Sequence, residues 1–250
     1  MKIDKRLDAY LSKYQPFQHK SLEIVLNLHS PPILYNPLHL DGLLSKAVVD
    51  AALQTESLAP SAEPYWLPLP LVTYWKDTHG LPLWAATDFQ SIDTDTTDAE
   101  FWHKRAVDTA MLPKTRDGRP LNLRTAQGVT KEYRIPVPVH SSLRWKATCN
   151  GDPHAIRDLL ATVTAVGKKR SQGYGRVKSW ELTEIDAFTF FDESLHALRP
   201  IPTVALTSIA PAEYPLKNLG MLTWTPPYWR SNAMLLCLAP HALQSPAHSP

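Results

Sequence analysis

Between residues 142 and 160 the run SLRWKATC passes directly into NGDPHAIRDLL, and this junction constrains the fold more than any other part of the chain. Leu143, Trp145, Ala147 and Cys149 alternate with Arg144, Lys146 and Thr148. That period predicts a strand with one buried face and cations on the other. Asp152 then stands where a helix cap is needed and Pro153 suits the first helical position, followed by Ile156, Leu159, Leu160 and Val163 along one stripe. The glycine-rich stretch GKKRSQGYGRVKSW, residues 167 to 180, starts just after that helix, and VKSWELTEI reads as the next strand.

The N-terminal part repeats the pattern. Leu22, Ile24, Leu26 and Leu28 alternate with Glu23 and Asn27, which predicts a half-buried strand ended by SPP. DGLLSKAVVDAALQ follows with Leu43, Leu44, Ala47, Val48 and Ala51 at helical spacing behind Asp41 as the cap. YWLPLPLVTYW and GLPLWAATDF, separated by KDTHG, read as a hairpin. The acidic run SIDTDTTDAE reads as a loop or helix approach, and FWHKRAVDTAML as a short amphipathic helix. TRDGRPLNLRTAQG gives a turn at Asp117-Gly118 and little that could fill a core, so residues 101 to 135 are expected to project as a basic insertion. Prolines cluster in IPVPVH and TPPYW, where they are expected to break strands, and residues 187 to 250 read as a proline-rich extension with a late strand at AMLLCL. HALQSPAHSP, residues 241 to 250, is expected to be a disordered tail. Strand, helix, hairpin, insertion, strand, helix, glycine loop and strand, in that order, fit one α+β domain of the ferredoxin-like (RRM-like) split βαβ kind spanning 1 to 250.

A 250-residue chain can bury roughly 70 to 75% of its unfolded surface, so it needs no covalent staples. Cys149 and Cys237 are its only cysteines, which excludes a disulfide framework and a zinc site of three or four cysteines. The charged start MKIDKRLDAYLSKYQ is unlike a signal peptide, and no apolar run approaches the roughly 18 residues of a membrane span. A soluble, cytoplasmic protein without a membrane partner is the expectation.

The net charge of +2 hides a strong segregation: from Trp102 to Trp180 there are 16 Lys and Arg against 5 Asp and Glu. Such a basic segment points to a polyanion, normally nucleic acid. Pairing with the acidic remainder of the fold, or with an acidic protein, would also account for the charge. Three glycines in the loop add something charge alone does not. They permit positive φ, so that backbone amides could turn toward a phosphate ringed by Lys168, Lys169, Arg170, Arg176 and Lys178. A Walker loop is absent, because Gly167-Lys168 is followed by Lys169, and a dinucleotide fingerprint would need a loop that enters a helix rather than leaves one. The RNA-recognition pattern is met at Gly173, Tyr174, Gly175 and Val177 and missed at Gln172, Arg176 and Ser179. Backbone grip with Tyr174 as the one stacking candidate is the reading this leaves.

VGKKRSQGYGRVKSWELTEI resembles the glycine-rich loop of the RAMP superfamily, the RNA-binding subunits of CRISPR effector complexes. PLHLDGLLSKAVVDAAL, WLPLPLV, LPLWAATDF, FWHKR, NGDPHAIRDLL and TPPYW resemble the type IV form of its Cas-five-like subunit, over roughly residues 20 to 240. The resemblance implies a noncatalytic protein that caps the 5′ handle of the guide RNA, without cofactor or metal, beside backbone and large subunits. Target DNA and an accessory helicase are further partners it admits. Carried onto this chain, the RNA contacts are Gly167 to Arg176, including Ser171 and Gln172, and Lys178; Arg144 and Lys146 of the strand; Lys104, Arg105, Arg116, Arg119, Arg124, Lys131 and Arg134 of the inserted thumb; and His39. Residues 1 to 20 have no counterpart.

The rival from another class is a metal-independent guide-processing endoribonuclease of the same superfamily. It would need a general base, a general acid and cations for the phosphorane. His39, His29 and Tyr35 are the best candidates, although a histidine beside Asp41 or in a proline-rich turn commonly caps or packs. No HxxxH, HExxH or carboxylate cluster suggests a metal nuclease.

Overall fold

A computed structural model describes residues 5–54, 66–104, 116–118, 133–209, 218–228 and 234–240. The architecture is mixed α/β with few helices and antiparallel sheets. Its centre is a four-stranded sheet in the order β4 (Gln90–Ser91), β7 (Arg144–Gly151), β1 (Lys20–Leu28) and β8 (Val177–Glu184), with every neighbouring pair antiparallel. Strict alternation makes β1 the keystone: Leu22, Ile24, Leu26 and Leu28 are all buried, while Glu23, Val25 and Asn27 face the other way. Each such aliphatic side chain contributes about 1.5–3 kcal/mol on burial. A one-residue slip would expose the whole stripe.

Two helices cover that stripe. α2 (Leu40–Leu53) buries Leu44, Ala47 and Val48, and α3 (Pro153–Ala161) buries Ile156, Leu159 and Leu160. They share one core with Trp145, Ala147 and Cys149 of β7. α3 begins as its sequence dictates, with Asp152 Oδ1 accepting the Ala155 amide at 2.8 Å and Pro153 in the first turn. α2 does not. His39 occupies its N-cap without a side-chain cap bond, and Asp41 is a buried helical residue whose carboxylate serves elsewhere. Residues before β1 also belong to this core: α1 (Lys5–Ser12) inserts Leu7 and Leu11, and the Gln18 amide donates to Asp152 Oδ2 at 2.9 Å.

Other expectations are corrected by the structure. The KDTHG hairpin forms between β2 (Thr73–Lys76) and β3 (Pro82–Trp84), with Asp77 Oδ1 accepting the amides of His79 and Leu81 at 2.9 and 2.7 Å. Part of the acidic run and the start of FWHKR, however, form a strand, β5 (Thr97–Lys104), rather than a loop and a helix. It pairs along its length with β6 (Tyr133–His140), the stretch whose prolines were expected to break structure. Residues 32–33 bridge the outer edge of β6 at Val139 and His140, and Pro136 and Pro138, two residues apart, both direct their missing donor to that same edge, away from β5. Leu143 lies outside the buried stripe of β7 and is 38% exposed. The remainder of the expected helix after Lys104, most of the insertion and the 241–250 tail lie outside the described residues, apart from 116–118, where Gly118 has φ +71° in the expected turn.

The C-terminal segment builds a second core that its proline content concealed. β9 (Ile201–Pro202), α4 (Leu206–Ile209), β10 (Leu219–Thr223) and β11 (Met234–Leu238) bury Ile201, Ala205, Cys237 and Leu238 with Phe190, Phe191 and Trp224. Arg199 joins the two cores. Its fully buried guanidinium donates to the carbonyls of Trp84, Ala86 and Trp224 at 3.0, 2.8 and 2.5 Å, to Asp41 Oδ2 at 3.0 Å and to the Tyr228 hydroxyl at 2.8 Å. Burial opposes its charge, but Asp41, Tyr228 and Asp88 together outweigh that and raise its pKa. Burial pushes the Tyr228 phenol up as well, and its hydroxyl donates to Asp41 at 2.8 Å. Arg199→Met would leave Asp41 buried without its cation, so we expect a loss of about 3–5 kcal/mol in urea unfolding. A change under about 1 kcal/mol would show that the network does not hold the cores together.

Candidate nucleic-acid interface

Residues 167–176 fold back on the segment that leaves β1. The Lys168 amide donates to Ile33 O at 2.9 Å, the Gly175 amide to Pro31 O at 3.0 Å, and the His29 amide to Arg176 O at 2.7 Å. Ser30 reinforces the crossing, its hydroxyl donating to Gly173 O at 2.5 Å and accepting from the Arg176 amide at 2.9 Å. Between these staples, Arg170–Gln172 make one 3₁₀ turn, with the amides of Gln172 and Gly173 donating to Lys169 O and Arg170 O. Five amides of the expected cradle, those of Lys168, Gln172, Gly173, Gly175 and Arg176, therefore have protein acceptors and are not offered to an anion. What the glycines permit is close approach. Gly175 has φ +61°, and a Cβ there would lie 2.1 Å from Val166 O; at Gly167, φ +76°, it would lie 2.6 Å from Ile33 O. Even Lys169 adopts a left-handed φ of 57°.

Held by these backbone bonds, the loop turns its side chains outward. Lys168, Lys169, Arg170, Ser171, Gln172, Arg176 and Lys178 are exposed. Among the described residues no ion pair engages Lys168, Arg170, Arg176 or Lys178. Lys169 Nζ rests 3.5 Å from the Trp102 ring centroid, and the Tyr174 hydroxyl donates to Glu100, a bond that raises the tyrosine pKa. These contacts seat the β5–β6 ribbon against the loop, over a small core of Ile33, Val137 and Val139. Tyr174, the expected stacking residue, is thus partly occupied in packing. Beside the loop opens a cleft of about 650 Å3 between α2 and the exit of α3, with His29, Lys46, Arg170 and Arg176 on its walls beside Leu43 and Val163. Lys46 there is paired with Asp50, one turn along α2.

The other expected contacts are dispersed. Arg144 and Lys146 lie on the open face of the sheet, 3.7 Å from Asp93 and 3.9 Å from Glu23. That face carries no aromatic side chain on β1, β7 or β8: Val25 stands between Lys146 and Glu181, and Asn27 between Arg144 and Ser179. A second cleft of about 770 Å3, which includes Lys146, also contains Asp192 and Glu193, a poor lining for a polyanion. Arg134 lies on the ribbon over Phe101, 3.9 Å from its centroid. Lys104 ends β5, Arg116 is exposed, and Arg105, Arg119, Arg124 and Lys131 lie outside the described residues. His39 belongs to a different neighbourhood, with Nδ1 2.5 Å from Asp88 Oδ1 and its ring stacked 3.6 Å from Tyr228. Among the described residues nothing joins it to the loop. Sequence reasoning missed Trp102 and Ser30, for which only their contacts across the fold give a signal.

Burial pushes the Cys149 thiol up and that of Cys237 up to about 12, which disfavours either as a nucleophile. Among the described residues no three His, Cys, Asp or Glu side chains gather as metal ligands, and no helix is long and apolar enough to cross a membrane. The loop geometry itself is open to test. Gly175→Ala meets both a positive φ and a backbone oxygen, whereas a Cβ at Gly173, φ +94°, meets nothing within 4 Å. Gly175→Ala should cost more than about 1 kcal/mol and speed amide exchange across 166–177, with a smaller effect from Gly173→Ala. Equal effects would mean that close packing is not what requires glycine here.

No curated protein matches this chain. A family model described as CRISPR type IV associated protein Csf3 matches residues 20–240, a span that takes in the second core, the first core apart from α1, the ribbon and the loop, and begins at the first residue of β1. The chain belongs to the Csf3 family of CRISPR type IV associated proteins.

Proposed function

We propose that this protein is a noncatalytic RNA-binding subunit of a type IV CRISPR ribonucleoprotein, holding the 5′ handle of the guide RNA by its phosphates. The single observation that carries this reading is the loop: four exposed cations, Lys168, Arg170, Arg176 and Lys178, without carboxylate partners among the described residues, on a backbone held by bonds to 29–33. Fixed charge on a preorganised loop suits a phosphate chain, whose affinity derives chiefly from neutralised charge and counterion release. The sheet order β4-β7-β1-β8, with α2 and α3 on one face, supports a ferredoxin-like, RAMP-type reading of one domain with the β5–β6 ribbon as the root of its thumb. Membership of a CRISPR family supports assembly with other subunits in the cytoplasm, the backbone and large subunits first, with target DNA and a helicase as further partners.

His29 gives the endoribonuclease reading its one foothold, because it lines the loop cleft with Arg170 and Arg176. Two measurements separate the readings. For a short single-stranded RNA, Lys168→Ala with Arg176→Ala should weaken binding irrespective of sequence. The slope of log affinity against log salt should become shallower by about 0.7 for each phosphate that is no longer neutralised. An unchanged slope removes the loop from the interface. Incubation of the protein with precursor repeat RNA in EDTA should leave the RNA intact; a discrete product that disappears with His29→Ala would replace binder with nuclease.

A further inference from the structure

The β5–β6 ribbon has two unlike faces. Glu100 and Trp102, with Val137 across the ladder, turn toward the loop and contact Tyr174, Lys169 and Ile33. The opposite face, between the root and tip of the described ribbon, carries Ala99, Phe101, His103, Arg134, Pro136 and Pro138 and no carboxylate. On it Phe101 is 42% exposed, although a phenyl ring there has no core to fill. The Arg134 guanidinium lies 3.9 Å from the Phe101 centroid, and the His103 ring, also exposed, lies 6.3 Å from it at 36°.

We infer that this outward face is a stacking platform for an unpaired base of single-stranded RNA, made by Phe101, Arg134 and His103. The inference rests on the RNA-binding reading above and adds a site to it. Stacking needs a flat π face or a guanidinium plane open to solvent, and the exposed Phe101–Arg134 pair offers one, with no carboxylate among the described residues of this face to repel the adjoining phosphate. An acidic peptide could answer to the charge, but it would leave the exposed aromatic rings without a flat partner. Position also favours RNA, because the ribbon's other face is fixed to the loop by the Lys169–Trp102 and Tyr174–Glu100 contacts. The loop and the platform thus stand on opposite faces of one fixed ribbon, and a strand gripped on the loop reaches the platform by passing around the ribbon. None of the three residues is needed to fix the fold, since Phe101, His103 and Arg134 are all exposed.

The experiment compares the full-length protein and Phe101→Ala on two single-stranded oligoribonucleotides of equal length, one with bases and one with abasic riboses. Phe101→Ala should weaken the first complex roughly 5-fold to 100-fold and leave the abasic complex and the salt slope unchanged, with Phe101→Trp restoring affinity. Wild-type affinity in Phe101→Ala, or equal losses on both oligomers, would overturn the platform while leaving the loop reading intact. Loss confined to a polyglutamate probe would overturn it in favour of an acidic protein. A wild-type protein that binds neither oligomer would count against both readings.

Discussion

The structure depends on one crossing of backbones, where residues 29–33 pass beneath the glycine-rich loop and exchange hydrogen bonds with it. β1 sits in the middle of the sheet, so the segment leaving it is positioned by the main core. Whatever that segment holds is held as firmly. The loop inherits this order through Ile33 O, Pro31 O and the Ser30 hydroxyl, and passes it to the ribbon through Trp102 and Tyr174. Rigidity at a cationic loop matters for binding a flexible polymer, because side-chain and loop ordering otherwise subtracts from affinity.

Charge on this protein is sorted by its surroundings. Arg199 is a structural cation, closed in by carbonyls and Asp41. Lys20 pairs with Glu184 across the β1–β8 ladder, and Arg144 and Lys146 lie within reach of acids on the open sheet face. Surface pairs of this kind contribute little to stability, yet they mute the field that a polyanion would feel. The loop lacks such partners among the described residues. Among the described residues the basic segment is thus several surfaces, and the loop and the outward ribbon face are those we propose for RNA.

Much of the central sheet was legible because its determinants are local. The alternation in β1 and, from Trp145 on, in β7, the Asp152-Pro153 start of α3 and the Asp77 turn each act within a few residues, and each formed as read. What was missed has long-range causes. Asp41 looks like a cap until Arg199, far along the chain, claims its carboxylate. IPVPVH looks like a breaker until a strand from 97–104 pairs with the edge opposite the one that its prolines face. The glycines were read as freeing amide donors; residues 29–33 take up three of those donors, and their close approach gives Gly167 a second reason. His39, weighed between a binding or catalytic role and capping or packing, stands at the α2 N-cap against Asp88 and Tyr228, contacts that only the fold brings to it.

The most direct test of the central claim is lysine-reactive footprinting of the protein, free and in its assembled ribonucleoprotein. Lys168 and Lys178 should be strongly protected by assembly and recover when the RNA is digested, while Lys20, at the far end of β1 beside Glu184, should label equally in both states. Labelling of Lys168 and Lys178 that is the same with and without RNA would contradict the account.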